Sequence, residues 1–182
     1  MIPKVVIVIN GRPRSGKDTV SQMVCRRMIA EGWRAHSVSS IDPVRNWLRT
    51  QGVPVDQKGP PERRLMAEVK EALERYDWQA TRMCAVDVML WLEEVPDRPA
   101  ICFAHMRELD AIAMFKDFIP DDVAVRTLLV EREGLSEEAS NAADRNAGKM
   151  LTDYLIRNNG TVEDLRRVCG VFAHDLMEEF DR

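Results

Sequence analysis

The apolar run Val5-Val6-Ile7-Val8-Ile9 passes through Asn10 straight into Gly11-Arg12-Pro13-Arg14-Ser15-Gly16-Lys17-Asp18-Thr19. No other junction constrains this chain as tightly. A continuous β-branched run predicts a strand buried on both faces, the kind found inside a parallel sheet. Gly11 and Gly16 then let the backbone curl until successive N–H groups converge on one anion. The helix that follows points its positive end at the same place, and Lys17 adds a full charge. The expectation is a phosphate-binding loop for a nucleoside triphosphate, contacted through Gly11, Arg14, Ser15, Gly16, Lys17, Asp18 and Thr19.

One position departs from the usual pattern. The residue after Lys17 is commonly Ser or Thr, whose hydroxyl holds magnesium, and here it is Asp18. A carboxylate is a hard oxygen donor suited to that metal, directly or through water. Asp18 is therefore the expected magnesium ligand; the alternative is that it only caps the helix.

The rest of the chain alternates strand and helix patterns. The first helix is expected from about Gly16 to Glu31, with Val20, Val24 and Met28 on one face, and a second strand over Arg34–Ser40. Pro43 suits the first turn of a short helix. Residues 51–61 read as a loop, and Pro61 opens a helix with Leu65, Val69, Leu73 and Tyr76 on one stripe. A more apolar helix follows over 78–92. Strands are expected at Ala100–Ala104, Val123–Val130 and Asp153–Ile156, with a helix from Arg107 to Lys116 between the first two. The last helix begins after Thr161 and carries Leu165, Val168, Cys169, Phe172, Leu176 and Phe180 on its apolar stripe.

This order predicts an α/β fold: a three-layer, doubly wound sheet of about five parallel strands with helices on both faces and right-handed crossovers. It fits a single domain over 1–182. The core spans 1–42, 98–131 and 152–182, a helical insertion covers about 43–97, and a polar flap or lid covers about 132–151.

Composition narrows the partners. With 26 Lys and Arg against 30 Asp and Glu the net charge is -4, so no diffuse basic field exists to recruit nucleic acid. No stretch is long enough to span a membrane, and the N-terminal apolar run is too short for a signal peptide. Cys25, Cys84, Cys102 and Cys169 form no Cys-x-x-Cys pair, and each lies in an apolar stretch. Unpaired thiols in a reducing cytoplasm are the expectation. The three histidines have no metal-ligand spacing, and oligomeric state is not legible.

Phosphoryl transfer is mostly positioning and charge stabilisation, so such a site needs cations around the moving group. Arg132 follows the fourth strand, and Arg145 and Lys149 lie in the polar flap, where closure would carry them over the terminal phosphate. Asp42, Arg45 and Arg49 follow the second strand. Arg82, in an apolar helix with Asp87, is either in a structural ion pair or reaches into a cleft. Arg107, after the strand Ala100–Ala104, is placed for a substrate phosphate at the edge where doubly wound sheets bind ligands. His105 stands where many phosphate-loop ATPases have a magnesium-holding aspartate, a place Glu108 or Asp42 could fill; His105 itself reads as a hydrogen-bonded core residue.

The nonapeptide Gly11–Thr19 resembles the loop of the bacteriophage-type deoxynucleoside monophosphate kinases, which share the adenylate-kinase-like fold. A similar Gly-Lys-Asp loop occurs in animal phosphomevalonate kinases, and dephospho-coenzyme A kinases have a related architecture. Ser39-Ser40-Ile41-Asp42-Pro43-Val44-Arg45 is similar to the acceptor segment after the second strand. Residues 153–161, with Asn158, resemble the last strand and turn near the adenine. The resemblance implies ATP and magnesium as cofactors, with Lys17, Arg132 and Arg145 stabilising the transition state. It implies Arg45 and Arg107 as contacts to the phosphate of an acceptor, a nucleoside or deoxynucleoside monophosphate above others, and Asp42 and Arg82, read from the residues, fall in the same acceptor region. A non-nucleotide phosphate ester or coenzyme precursor is the alternative acceptor. A nucleotide switch or a non-catalytic binding module is the alternative from another class.

Overall fold

The β-branched run becomes the middle strand of a five-stranded sheet. In the computed structural model, which describes residues 2–57, 59–135 and 152–180, β1 (Lys4–Asn10) is followed by α1 (Lys17–Ala30) and β2 (Arg34–Ser39). Three helices come next: α2 (Asp42–Thr50), α3 (Pro60–Asp77) and α4 (Gln79–Glu93). Then β3 (Ala100–His105), α5 (Leu109–Phe118), β4 (Ala124–Glu131), β5 (Tyr154–Arg157) and α6 (Val162–Phe180) complete the described chain.

The strand order is β2-β3-β1-β4-β5, and every neighbouring pair is parallel. Parallel pairing brings all five carboxyl ends to one edge. The register sets Ile9 opposite His105, Ser39 opposite His105, Asn10 opposite Leu129, and Glu131 opposite Arg157. The phosphate loop leaves the sheet at the centre of that edge.

Alternation along β1 divides the core. Val5, Ile7 and Ile9 face Val20, Val24 and Met28 of α1 and Leu165, Cys169 and Leu176 of α6. Val6 and Val8 face Cys84, Val88 and Leu92 of α4 and Ile112 and Phe115 of α5. Each such side chain contributes about 1.5–3 kcal/mol by leaving water, so β1 is held from both sides. The expected three-layer parallel α/β architecture is the one observed.

Two local expectations need correction. On α3 only half of the stripe Leu65, Val69, Leu73, Tyr76 packs inward: Val69 and Leu73 lie against a small third core, whereas Tyr76 is 78% exposed and Leu65 is exposed as well. The helix also buries Met66 and Lys70. Met66 joins that third core with Val44, Leu48, Val55 and Ala80, while Lys70, one turn on, reaches an ion-pair partner at the start of α5. The last strand is also displaced by one residue. Asp153 stays outside it and accepts hydrogen bonds from the amide and hydroxyl of Thr127, both at 2.7 Å.

Candidate functional site

The loop between β1 and α1 is built by its own backbone. Gly11, Arg14 and Gly16 have φ values of 153°, 65° and 94°, and the Ser15 amide closes a turn by donating to the Arg12 carbonyl at 3.1 Å. A Cβ at Gly11 would lie 2.5 Å from the Val130 carbonyl oxygen and 2.7 Å from Ser15 Oγ. One at Gly16 would lie 2.4 Å from Asn158 Nδ2. Glycine is thus required at both positions by conformation and by space.

The loop is braced from the sheet edge. Asn10 Oδ1 accepts from the Gly11 amide at 2.6 Å, and Asn10 Nδ2 donates to the Arg107 carbonyl at 3.4 Å. Asn158 is buried; its amide donates to the Glu131 carbonyl at 2.7 Å and its Nδ2 to the Ser15 carbonyl at 2.8 Å. Asn158, expected as a nucleotide contact, is seen here as a strut behind the loop. Lys17 is buried at 8% exposure, and Ser15 Oγ is buried with no hydrogen-bond partner among the described residues. A buried hydroxyl without a protein partner, in a loop that also carries a buried lysine at a helix N-terminus, is a donor set that fits a phosphate.

Asp18 and Thr19 lie exposed on the first turn of α1. Asp18 Oδ1 is 3.3 Å from His105 Nδ1. That hydrogen bond, opposed by partial burial and reinforced by Lys17, pulls the Asp18 carboxyl down to about 2. It is ionised under any ordinary condition, a hard anionic donor that fits magnesium. Among the described residues no three His, Cys, Asp or Glu side chains gather as a metal cluster. His105, expected as a hydrogen-bonded core residue, contacts Ser37 Oγ at 3.0 Å and Ser21 Oγ at 3.2 Å through Nε2.

The acceptor-side residues are arranged unevenly. Asp42 Oδ2 accepts from the Ser39 amide at 2.7 Å, and its other oxygen pairs with Arg45 Nη1. Arg45 Nε is buried without a partner among the described residues. Arg107 is half-buried just beyond β3. Arg82 is the exception: it lies 4.7 Å over the Phe118 ring and 3.5 Å from Asp77, so it takes the structural ion pair of its two expected settings. Arg49 pairs with Asp56 on the surface. Arg132 is exposed just past β4, whereas Arg145 and Lys149 fall outside the described residues.

Sequence reasoning missed Lys70. Its buried ammonium donates to Glu108 Oε2 at 2.8 Å, tying α3 to the start of α5. Burial alone would raise the Glu108 carboxyl; the Lys70 charge and hydrogen bonds outweigh it and leave Glu108 below its ordinary range. No signal in the sequence marked it, because half of the residues of α3 are charged and Lys70 is one among them. Ser21, Ser37 and Asn10 were missed too, because short polar side chains carry no pattern until the sheet assembles them.

No family model matches the chain, and no curated protein sequence matches it. Among solved structures it is similar to the Mycobacterium tuberculosis APS kinase CysC in complex with AMPPNP and APS. That likeness covers 100% of both chains at 11% identity with a TM-score of 0.60. The Cys556Ala mutant of the same enzyme matches over 96% of this chain and 99% of its own, at 11% identity and a TM-score of 0.56. Likeness at such identities speaks for the fold alone: a parallel five-stranded sheet with helices on both faces.

Proposed function

We propose that the protein transfers the γ-phosphoryl group of ATP, with magnesium, to a small phosphorylated acceptor. A nucleoside or deoxynucleoside monophosphate is the acceptor the reading favours. The observation that carries it is the cradle itself: a strand-end loop with two obligatory glycines, a buried Lys17 and a buried Ser15 hydroxyl lacking a protein partner.

In this reading Lys17 binds the β- and γ-phosphate oxygens and stabilises the charge that develops on them. Asp18 would hold magnesium, which when bound neutralises phosphate charge. Arg45 and Arg107, at the carboxyl edge of the sheet, orient the acceptor phosphate; Asp42 aims the Arg45 guanidinium through their ion pair. Arg132, with Arg145 of the lid, covers the transferring group and excludes water. No general base is needed, because an acceptor phosphate oxygen is already anionic at neutral pH. Alignment and charge neutralisation do the catalysis.

The reading places the protein in the cytoplasm as a single domain with an acceptor-binding insertion at about 43–97 and a lid at about 132–151. Its four cysteines are unpaired, and no helix among the described residues is long and apolar enough to cross a membrane. The test is incubation with ATP, magnesium and a panel of nucleoside and deoxynucleoside monophosphates, with separation of the products. ADP formation that requires a monophosphate, with matching diphosphate, is expected. Turnover only with a non-nucleotide phosphate ester would move the acceptor class. Acceptor-independent hydrolysis, or none, would overturn the kinase reading.

A further inference from the structure

The mechanism above uses Asp18 but leaves His105 without a part, although His105 is the group that holds Asp18. The two residues come from different elements: Asp18 from the first turn of α1, His105 from the carboxyl end of β3. The sheet register sets His105 beside Ile9 on one side and Ser39 on the other. The His105 side chain is only 12% exposed, whereas that of Asp18 is 75% exposed. An exposed aspartate with no tether samples several rotamers and would have to be immobilised whenever a metal bound.

An ionised carboxylate only accepts, so the proton between Asp18 Oδ1 and His105 Nδ1, 3.3 Å apart, sits on the ring. The other ring nitrogen, Nε2, lies 3.0 Å from Ser37 Oγ and 3.2 Å from Ser21 Oγ, hydroxyls that hold the imidazole in place. The contacts run from Ser37 through His105 to Asp18. One carboxylate oxygen is engaged by the ring, and a carboxylate so held can offer its other oxygen to a hard cation.

We propose that His105 is a positioning residue that fixes the Asp18 carboxylate for magnesium, with Ser37 locking the imidazole in turn. The proposal rests on the reading of Asp18 as the magnesium ligand and deepens it. It explains why this edge of the sheet can lack an aspartate at position 105: the histidine acts through the carboxylate on α1 instead of binding the metal itself. Outer partners that orient a ligating group typically change metal affinity by roughly 10–100-fold.

The test measures AMPPNP binding by calorimetry, with magnesium and with a chelator, for the full chain and for His105→Ala, His105→Asn and Ser37→Ala. For the unaltered protein, magnesium should tighten AMPPNP binding. His105→Ala should lose about tenfold of that magnesium-dependent gain while its metal-free affinity stays put. His105→Asn should regain part of it, since its amide nitrogen stands where Nδ1 stood, and Ser37→Ala should lose a few-fold. A purely structural histidine would lower both affinities together, and that outcome overturns the proposal. So does a full magnesium gain in His105→Ala. If that variant fails to fold, Ser37→Ala decides, because Ser37 is exposed on β2 and a full magnesium gain there counts against the chain. Unaltered protein that binds AMPPNP with no gain from magnesium sinks this inference alone; failure to bind AMPPNP at all sinks the triphosphate reading beneath it.

Discussion

The two sides of the sheet edge are held together by different means. The phosphate loop is specified by backbone: two positive-φ glycines, a turn closed by the Ser15 amide, and two asparagines bonding main-chain groups. The flank where the acceptor is proposed to bind is held by side-chain charge instead, through Asp42 with Arg45 and Lys70 with Glu108. A backbone device tolerates almost no substitution but reads any polyphosphate alike, because amides and helix ends recognise charge and not identity. A charge-pair device can be re-aimed by changing one side chain. On the function proposed above, the triphosphate end would be the generic half of the site, and selectivity would belong to the half built from α2, α3 and the turn after β3.

The sharpest break between the halves comes from Lys17→Ala. It removes the one buried ammonium of the loop side and should cut kcat/KM by at least about 100-fold, roughly 3 kcal/mol of transition-state stabilisation. A coupled ADP assay at saturating acceptor checks it, and a near-normal rate would mean that the loop does not meet the reacting phosphates. Gly11→Ala comes next. Its Cβ would press on the Val130 carbonyl, a backbone atom that cannot swing away, so a destabilisation of about 1–3 kcal/mol is expected. Gly16→Ala meets the Asn158 amide, a side chain that can turn aside, and should lose less stability. Thermal melts of the two variants side by side would reverse that order if the φ of Gly16 outweighs the clash at Gly11.

The same contrast explains what was legible before the fold was known. The β1 run, the loop glycines and Lys17 are neighbours in sequence, so their spacing already contains their geometry. The inner strands β1, β3 and β4 could be placed because continuous apolar runs mark buried parallel strands, whereas the edge strands β2 and β5 are partly exposed. The α3 face was read one step too far round: Val69 and Leu73 do pack inward, but their neighbours on the buried side are Met66 and Lys70, which meet Ala80 and Glu108, and not Leu65 and Tyr76. The partner that rotates it lies 38 residues away. The chain Ser37–His105–Asp18 draws on three elements joined only by sheet register, and a lone histidine in a sequence carries no trace of it. Arg82 shows the converse: its composition context allowed a cleft or a pair, and packing against Phe118 and Asp77 chose the pair.

On the acceptor side Lys70→Ala should leave Glu108 half-buried and uncompensated. Full burial would make that loss about 3–5 kcal/mol; with the Glu108 side chain 40% exposed, about 1–3 kcal/mol is the expected drop in denaturant stability. The double variant Lys70→Met with Glu108→Gln should recover part of it, since no bare charge remains. No recovery would show that packing around α3, and not the ion pair, sets the loss. Asn158→Ala should have a smaller effect of about 1 kcal/mol for one hydrogen bond to the Ser15 carbonyl. Because that bond braces the loop, nucleotide affinity should fall in step with stability.

The smallest effect is at Asp18, and its sign follows from the direction of its shift. The folded protein holds this carboxyl at about 2, below its ordinary value of 3.8, so the unfolded chain takes up a proton there first as the solution is acidified. The stabilisation is complete above about pH 4 and is lost as pH falls through the folded value. The side chain is largely exposed, so solvent screens the interaction and the change is a shallow slope, not a collapse. Asp18→Asn removes the titrating group and should flatten stability between about pH 4 and pH 2 relative to the unaltered chain. Urea midpoints taken at several pH values across that window check it. Identical slopes would mean that the carboxylate is not gripped in the folded state, and the loop side would then owe nothing to side-chain charge beyond Lys17.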